Sequence, residues 1–242
     1  LLCADPLLFE RVIVEHCDPM GKAASVLLAS KSTHGIDAAT NTVIATVAVG
    51  TGPMGLSVTP DGQFVYVANF VGSNVSVINT LTQTVVATIP VQNFPIGVSA
   101  TPDGSRVYVT NTFSKTVSVI STATNTVIAT VEVGLYPNGL RVSPDGSKVY
   151  VANEGLPGPS YEISVINTAT NLVDATISVD YSPVSLSFSP DGSKLYVANR
   201  YADKAVAVLG ARDARTLARV RDPSTPPARP SSSPPAATAR RT

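Results

Sequence analysis

Short hydrophobic runs alternate with polar turn-forming clusters along the middle of this chain. In the first full period the runs are GLSVT (55–59), FVYVAN (64–69), NVSVIN (74–79) and TVVATIPV (84–91). Val, Ile, Thr and Tyr favour strands, whereas the Pro, Asp, Gly and Asn residues between the runs favour reversals. The pattern therefore predicts four short antiparallel β-strands in each period.

The period itself is visible in one eleven-residue stretch. TPDGQFVYVAN (59–69) returns as TPDGSRVYVTN (101–111), SPDGSKVYVAN (143–153) and SPDGSKLYVAN (189–199), with spacings of 42, 42 and 46 residues. Four strands in a repeat of about 40–45 residues are typical of a propeller blade. We predict an all-β fold, a β-propeller of four-stranded antiparallel blades, with about four blades in this chain.

Apolar residues occupy both faces of the second and third strands, as Val65, Tyr66, Val67 and Ala68 show. A sheet with one face in water alternates apolar and polar positions more regularly. Blades stacked face to face bury both sides, so the pattern favours a propeller over an open sandwich.

The repeated strand carries a resemblance to a known family. YVTN (108–111) and the three YVAN copies, with the SPDGSK, NTVIATV and VGxxPxG elements, resemble the YVTN-type β-propeller repeat over roughly residues 34–220. The resemblance implies a secreted or cell-surface propeller, including surface-layer components, often of seven blades and without assigned activity. WD repeats match less well because the chain has no Trp.

Closure of the array is open to two interpretations. The strand at about 42–49 has no blade of its own, and the simplest closure pairs it with the last blade, which begins at Pro183. Alternatively, residues 206–220 align with 117–131 and complete that blade. An open end blade exposes apolar surface worth on the order of 10 kcal/mol, so the chain is a small closed ring, self-associates, or is part of a larger ring.

The flanking segments differ from the repeats. Residues 1–33 form a non-repeat segment in which MGKAASVLLASK is a short helix or a degenerate blade strand. Repeats are predicted over residues 34–221. Residues 222–242 are rich in Pro, Ser, Ala and Arg, which predicts a disordered tail.

Composition narrows the class of partner and the compartment. The formal net charge is zero and 14% of the 242 residues are charged, which argues against a nucleic-acid binder. No basic region followed by a clean apolar run is visible near residue 1, so no signal peptide is read from this sequence, and because no apolar run reaches 18 residues we expect no transmembrane segment. Both cysteines, Cys3 and Cys17, precede the repeats, and their pairing is open. Cys-free repeats suit an extracellular, cell-surface or periplasmic protein.

The residues needed for common chemistries are missing from the repeats. The two histidines, His16 and His34, lie outside the complete blades, and no Cys/His cluster or phosphate loop occurs. We therefore expect no catalytic residue, cofactor or metal. The Asp, Tyr and Asn residues present in every copy are interpreted as turn caps, blade core and bonds to the loop backbone.

A specific site is expected where the blades differ. The loops after each copy read FVGS (70–73), TFSK (112–115), EGLPGPSYE (154–162) and RYADK (200–204), and they share one face with the inter-blade loops QNFP, GLYP and DYSP. Variable loops on a rigid scaffold commonly bind partners. The candidate binding residues on this face are Phe94, Phe113, Tyr136, Glu154, Tyr161, Glu162, Tyr181, Arg200 and Tyr201.

Three functions are compatible with these observations. The first is a structural or binding scaffold whose variable-loop face contacts a cell-envelope glycan or protein. The second, implied by similar propellers, is an enzyme of lactonase or lyase type with an axial metal or acid site built from Glu132, Glu154 and Asp180. The third is a partial gene product without independent activity.

Overall fold

The structure is a computed structural model that describes residues 31–155, 161–179 and 182–200, together with the backbone of strands 24–29 and 206–210. Within this part the chain forms antiparallel β-sheets and no helix. No helical segment that is long and apolar enough to span a bilayer is found among the described residues.

The strands follow one another in five sheets. The first sheet has three strands, β1 (Ala24–Ala29), β2 (Ser32–Asp37) and β3 (Thr42–Ala48). Three four-stranded blades follow, and their strands are β4 (Pro53–Val58), β5 (Phe64–Asn69), β6 (Asn74–Asn79), β7 (Thr84–Pro90), then β8 (Pro95–Ala100), β9 (Arg106–Asn111), β10 (Thr116–Ser121), β11 (Thr126–Glu132), then β12 (Pro137–Val142), β13 (Lys148–Asn153), β14 (Glu162–Asn167), β15 (Leu172–Ser178). The last sheet has β16 (Pro183–Phe188), β17 (Lys194–Asn199) and β18 (Val206–Gly210).

This arrangement confirms the all-β propeller class and the four-strand blade. Each four-stranded blade pairs its strands in chain order, as a meander does. A register shift recurs between the third and fourth strands, at Val77/Ile78, Val119/Ile120 and Val165/Ile166. The same shift occurs at Gly35/Ile36 in the first sheet, so β2 and β3 correspond to the third and fourth strands of a blade.

The predicted pairing of the strand at 42–49 with the last blade is wrong. Strand β3 pairs with β2, with Thr33 opposite Val47 and Ile36 opposite Val43, and β2 pairs in turn with β1. Segment 24–29 is therefore a blade strand rather than a helix. A local hairpin costs less chain entropy than closure across the whole repeat array. The predicted domain boundaries and the tail at 222–242 stay predictions, and the tail lies outside the described residues.

Neighbouring blades meet closely along their innermost strands. Strand β12 packs between β8 and β16, and β8 packs against β4. A Cβ on Gly97 would lie 2.5 Å from the carbonyl oxygen of Asn138, and one on Gly139 would lie 2.6 Å from that of Val184. Glycine is needed at these positions because the backbone of the next blade occupies the space of a side chain.

The core lies between the blades. The repeated tyrosines Tyr66, Tyr108 and Tyr150 are fully buried in clusters that join one blade to the next. The Tyr66 hydroxyl donates to the Asn125 side-chain oxygen in the turn of the following blade (2.7 Å). The prediction that these tyrosines form blade core is confirmed.

The repeated Asp and Asn residues have separate structural roles. Asp61 Oδ1 accepts bonds from the Gln63 N–H and the Thr59 hydroxyl, and these bonds lower the pKa of the carboxyl, as predicted for a turn cap. The prediction that the asparagines bond loop backbone is wrong. The Asn69 side-chain N–H₂ donates to Asn74 and Ser76 on the neighbouring strand, because the amide lies inside the blade.

Candidate functional site

One end of the blades carries the loops that differ between repeats, and we call it the variable-loop face. It consists of the loops between second and third strands and the loops between blades. The residue after each repeated Asn donates its N–H to the carbonyl of the residue before the proline that begins the first strand of the same blade or sheet. These bonds join Phe70 to Gly52 (2.7 Å), Thr112 to Phe94 (3.0 Å), Glu154 to Tyr136 (3.1 Å) and Arg200 to Ser182 (2.8 Å).

Four aromatic rings form a continuous row across three blades on this face. Ring centroids lie 4.7 Å apart for Phe70 and Phe94, 4.7 Å for Phe94 and Phe113, and 5.5 Å for Phe113 and Tyr136. These separations are those of favourable aromatic pairs. Phe113 is 56% exposed, so the row is partly open to solvent. We call these four residues the aromatic row.

The backbone at two members of the aromatic row is strained. Phe94 has φ of 58° and Tyr136 has φ of 53°, and each precedes a proline. The equivalent residue of the first blade is Gly52, with φ of 67°. The left-handed conformation is cheap for Gly but costs a bulky residue of order 1 kcal/mol or more. Two blades thus keep an aromatic side chain where glycine fits without strain.

An ion pair with a buried carboxylate and a partly exposed guanidinium lies next to the aromatic row, between the third blade and the last sheet. Glu154 is buried, and its Oε1 accepts bonds from Arg200 Nη1 (2.6 Å) and from the Ser182 hydroxyl (3.0 Å). Asn138 Nδ2 donates to the other carboxylate oxygen at 3.3 Å. The Arg200 side chain remains 47% exposed.

The other predicted site residues are more scattered. Glu162 begins β14 beside Asn153, and burial raises the pKa of its carboxyl. Tyr161 is half-buried at the end of the long loop. Tyr181 and Tyr201 lie outside the described residues. The structure thus brings together Phe94, Phe113 and Tyr136 in one group, and Glu154 and Arg200 in a second group beside it.

Three residues of the candidate site were not predicted from the sequence. Phe70 is a member of the aromatic row, while Asn138 and Ser182 bind the Glu154 carboxylate. Phe70 follows the repeated Asn at the position that Glu154 and Arg200 occupy in their blades, and this alignment was a usable signal. Asn138 and Ser182 flank the repeated Pro and carry no comparable signal, since their role depends on contact with another blade.

The acids of the enzyme hypothesis do not converge among the described residues. Glu154 is held in the ion pair, Glu132 is exposed at the end of β11, and Asp180 lies outside the described part. No group of three His, Cys, Asp or Glu residues suited to a metal ion occurs in the described ranges. The catalytic alternative stays a prediction.

A cleft of about 500 Å³ opens at the opposite end of the second and third blades. Its lining includes Asp103, Arg106, Asp145 and Thr168. Asp103 and Asp145 both cap their own turns, and hydrogen bonds from Thr101 and Ser143 lower their pKa values. Arg106 donates to the carbonyl of Thr168. The charged groups that line the cleft therefore stabilise the turns and the packing between blades.

The stacked meanders, the inter-blade core and the repeat period define a β-propeller repeat protein. The model of the YNCE-like β-propeller family matches residues 92–228, which is more than half of the chain. The chain therefore belongs to the YNCE-like β-propeller family. The surface-layer subtype expected from the YVTN resemblance stays a prediction.

Solved structures agree with this fold. Hydrazine synthase of Kuenenia stuttgartiensis is similar with a TM-score of 0.62 and 31% identity, covering 67% of this chain and 47% of that one. A functionally unknown protein from Desulfotomaculum acetoxidans DSM 771 is similar in fold, with a TM-score of 0.70, 18% identity, and coverage of 82% and 65%. The chain thus spans about half to two thirds of the length of these structures. No curated protein matches the chain.

Proposed function

We propose that this chain is a binding scaffold whose variable-loop face holds a protein partner through the aromatic row. The main support is the strained backbone at Phe94 and Tyr136. The equivalent residue of the first blade is Gly52, which adopts the same conformation without strain. A strained aromatic residue persists only when its side chain contributes more than the strain costs. The partly exposed ring of Phe113 lies between these two rings and offers the contact surface.

The shape of the face favours a macromolecule over an enclosed small molecule. Small-molecule sites are concave and bury most of their ligand, whereas the aromatic row follows the loop tips of three blades. Exposed aromatic residues flanked by polar groups are typical of the centre of a protein interface. Here the polar flank is the Arg200 guanidinium, held in place by Glu154.

The spacing of the rings favours protein over glycan. Sugar stacking requires an aromatic face that is free of other rings. In the aromatic row the centroids are 4.7 to 5.5 Å apart and the ring planes are inclined by 49 to 79°, so the rings do not form one flat stacking surface. Apolar side chains of a partner fit against such inclined edges, as in a protein core.

Position-specific crosslinking in producing cells tests the proposal. A photo-crosslinking residue replaces Phe113 in one variant and Leu81 in the other. Leu81 is a matched control because it is 90% exposed and lies in a turn at the opposite end of the blades. We expect a discrete protein adduct at position 113, absent at 81 and lost when Phe94→Gly is added. An adduct of twice the chain mass identifies a second copy as the partner.

Equal adducts at both positions would overturn the proposed face. Adducts at neither position, together with binding of the chain to purified cell-wall glycan that Phe94→Gly abolishes, would replace the protein partner with a glycan.

A stability measurement separates binding from packing. Phe94→Gly removes the strain and gives the second blade the residue that the first blade carries at Gly52. If the aromatic row serves binding, the free energy of unfolding of this variant stays within about 1 kcal/mol of wild type while the adduct disappears. A loss of more than about 3 kcal/mol assigns the row to the core instead.

The extracytoplasmic location is also a proposal, supported by the YVTN resemblance and by the Cys-free repeats. Fractionation of producing cells tests it, and recovery of the full-length chain from the cytosol alone would contradict it. Self-association is tested by the solution mass, since an assembled ring exceeds the 25.0 kDa chain.

A further inference from the structure

One position on the innermost strands differs between blades in its chemistry. Ser57, Ser99, Arg141 and Ser187 each pair across to the repeated tyrosine of their own blade. The first blade, the second blade and the last sheet thus have a serine at this position, whereas the third blade has an arginine. This position lies within a strand, away from the variable-loop face, and no candidate binding residue occupies it.

Two of the serines at this position, Ser57 and Ser99, join one blade to the next. The Ser57 hydroxyl oxygen accepts the N–H of Ala100 on the inner strand of the second blade (3.1 Å). The Ser99 hydroxyl oxygen accepts the N–H of Val142 in the third blade in the same way (3.3 Å). A guanidinium has donors but no acceptor. Arg141 therefore cannot make this repeated bond to the last sheet.

Arg141 also carries a charge into a poorly solvated place. Its side chain is half-buried, and desolvation lowers the pKa of the guanidinium, which nevertheless remains protonated near neutral pH. Its one described hydrogen bond is a long one, from Nη1 to the carbonyl of Leu140 at 3.3 Å. The ion pair found among the described residues is Arg200 with Glu154, so Arg141 has no carboxylate within 4 Å there.

The cross-strand neighbour of Arg141, Tyr150, belongs to an apolar cluster with the last sheet. Tyr150 packs edge to face on Phe188 of the last sheet, with centroids 5.6 Å apart. Leu186 belongs to the same cluster. A half-buried charge without a counter-ion is costly, and the remaining N–H donors of Arg141 are suited to an oxyanion, which a guanidinium binds through two parallel bonds.

We propose that Arg141 binds a small oxyanion, of the carboxylate or phosphate class, at the inner edge between the third blade and the last sheet. The anion supplies the negative charge that the described residues around Arg141 do not supply. This site is independent of the proposed partner on the variable-loop face, so either proposal can fail alone.

The test compares the full chain with Arg141→Ser, which installs the residue that the other three blades carry. Melting temperatures are measured at constant ionic strength in chloride, with inorganic phosphate or acetate added at millimolar concentration. In wild type we expect a rise of about 5 °C at a hundredfold excess over Kd. In Arg141→Ser we expect no rise, and in chloride a melting temperature equal to or above that of wild type.

Lys194→Ser is the matched control, because it removes one positive charge from an exposed position of the last sheet. It should keep the full response to the anion. A response to phosphate alone identifies a phosphate site, and a response to both anions identifies a general oxyanion site.

Two results would overturn the proposal. Equal rises in wild type and Arg141→Ser would assign the effect to non-specific stabilisation by the salt. An unresponsive wild type with an Arg141→Ser variant that melts several degrees lower would show that Arg141 has its counter-charge within the chain.

Discussion

The third blade and the last sheet have nearly the same repeated stretch but differ in how it is buried. SPDGSKVYVAN and SPDGSKLYVAN differ only at Val149 and Leu195. Nevertheless Tyr150 is 1% exposed, whereas the equivalent Tyr196 is 39% exposed. Strand β13 is buried on both faces, while exposed and buried residues alternate along most of β17.

The difference shows that burial in this fold comes from the following blade. Tyr150 packs on Phe188 and joins a cluster with Leu186 and Leu195, all of which belong to the last sheet. No described sheet covers Tyr196 in the same way. The repeated stretch therefore supplies two apolar faces, and the neighbours determine which of them contribute to stability.

The largest expected effect is that of removing this tyrosine in the two places. Tyr150→Ala should lower the free energy of unfolding by about 3–5 kcal/mol, because it leaves a cavity between two blades. Tyr196→Ala should cost less than about 1.5 kcal/mol, since the side chain is already partly solvated. Urea unfolding of both variants measures the difference. Equal losses would mean that residues outside the described part cover Tyr196.

A smaller effect is expected at the glycine that allows the inner strands to approach. Gly139→Ala would place a Cβ 2.6 Å from the Val184 carbonyl oxygen and should cost about 1–3 kcal/mol by forcing the strands apart. The equivalent residue of the last sheet is Ser185, which is exposed. Ser185→Ala is the control and should stay within about 0.5 kcal/mol of wild type. A neutral Gly139→Ala variant would contradict the close approach of β12 and β16.

The smallest effect concerns the hydroxyl group of a buried tyrosine. Tyr66→Phe removes the bond to Asn125 and should cost about 1 kcal/mol at neutral pH, whereas Tyr196→Phe should be neutral. Burial raises the pKa of Tyr66 to about 12, with a smaller contribution from Asp61, compared with about 10 in the unfolded chain.

The high pKa of Tyr66 also makes stability depend on pH. Between pH 10 and pH 12 the folded state retains a proton that the unfolded chain releases, so the contribution is complete below pH 10 and is lost as the pH rises towards 12. Tyr66→Phe should reduce this alkaline loss. Urea unfolding at about pH 8 and about pH 11 measures it, and an identical alkaline loss in the variant would exclude Tyr66 as its source.

Much of the fold could be predicted from local patterns. The four strand runs of the first period correspond to β4–β7 within one or two residues at most ends, since the runs are strongly apolar and Pro-Asp-Gly ends them. The pairing of β3 was predicted wrongly, because β1 and β2 have too few repeat features to mark them as blade strands. In the candidate site, Phe94, Phe113 and Tyr136 are predicted from differences between blades, but their arrangement in one row, and the contact of Phe94 with Phe70, depend on the distance between loops.

The sequence by itself determined the blade, because turn chemistry and the two apolar faces act within one period. The tertiary structure decided which faces are buried, which aromatic residues form the row, and that Glu154 and Arg200 form a pair while Arg141 has no described counter-charge. The contacts depend on residues that lie 19 to 46 positions apart along the chain, from Phe94–Phe113 at one extreme to Glu154–Arg200 at the other. The stacking of blades brings them within a few ångströms of one another, and no local pattern records that stacking.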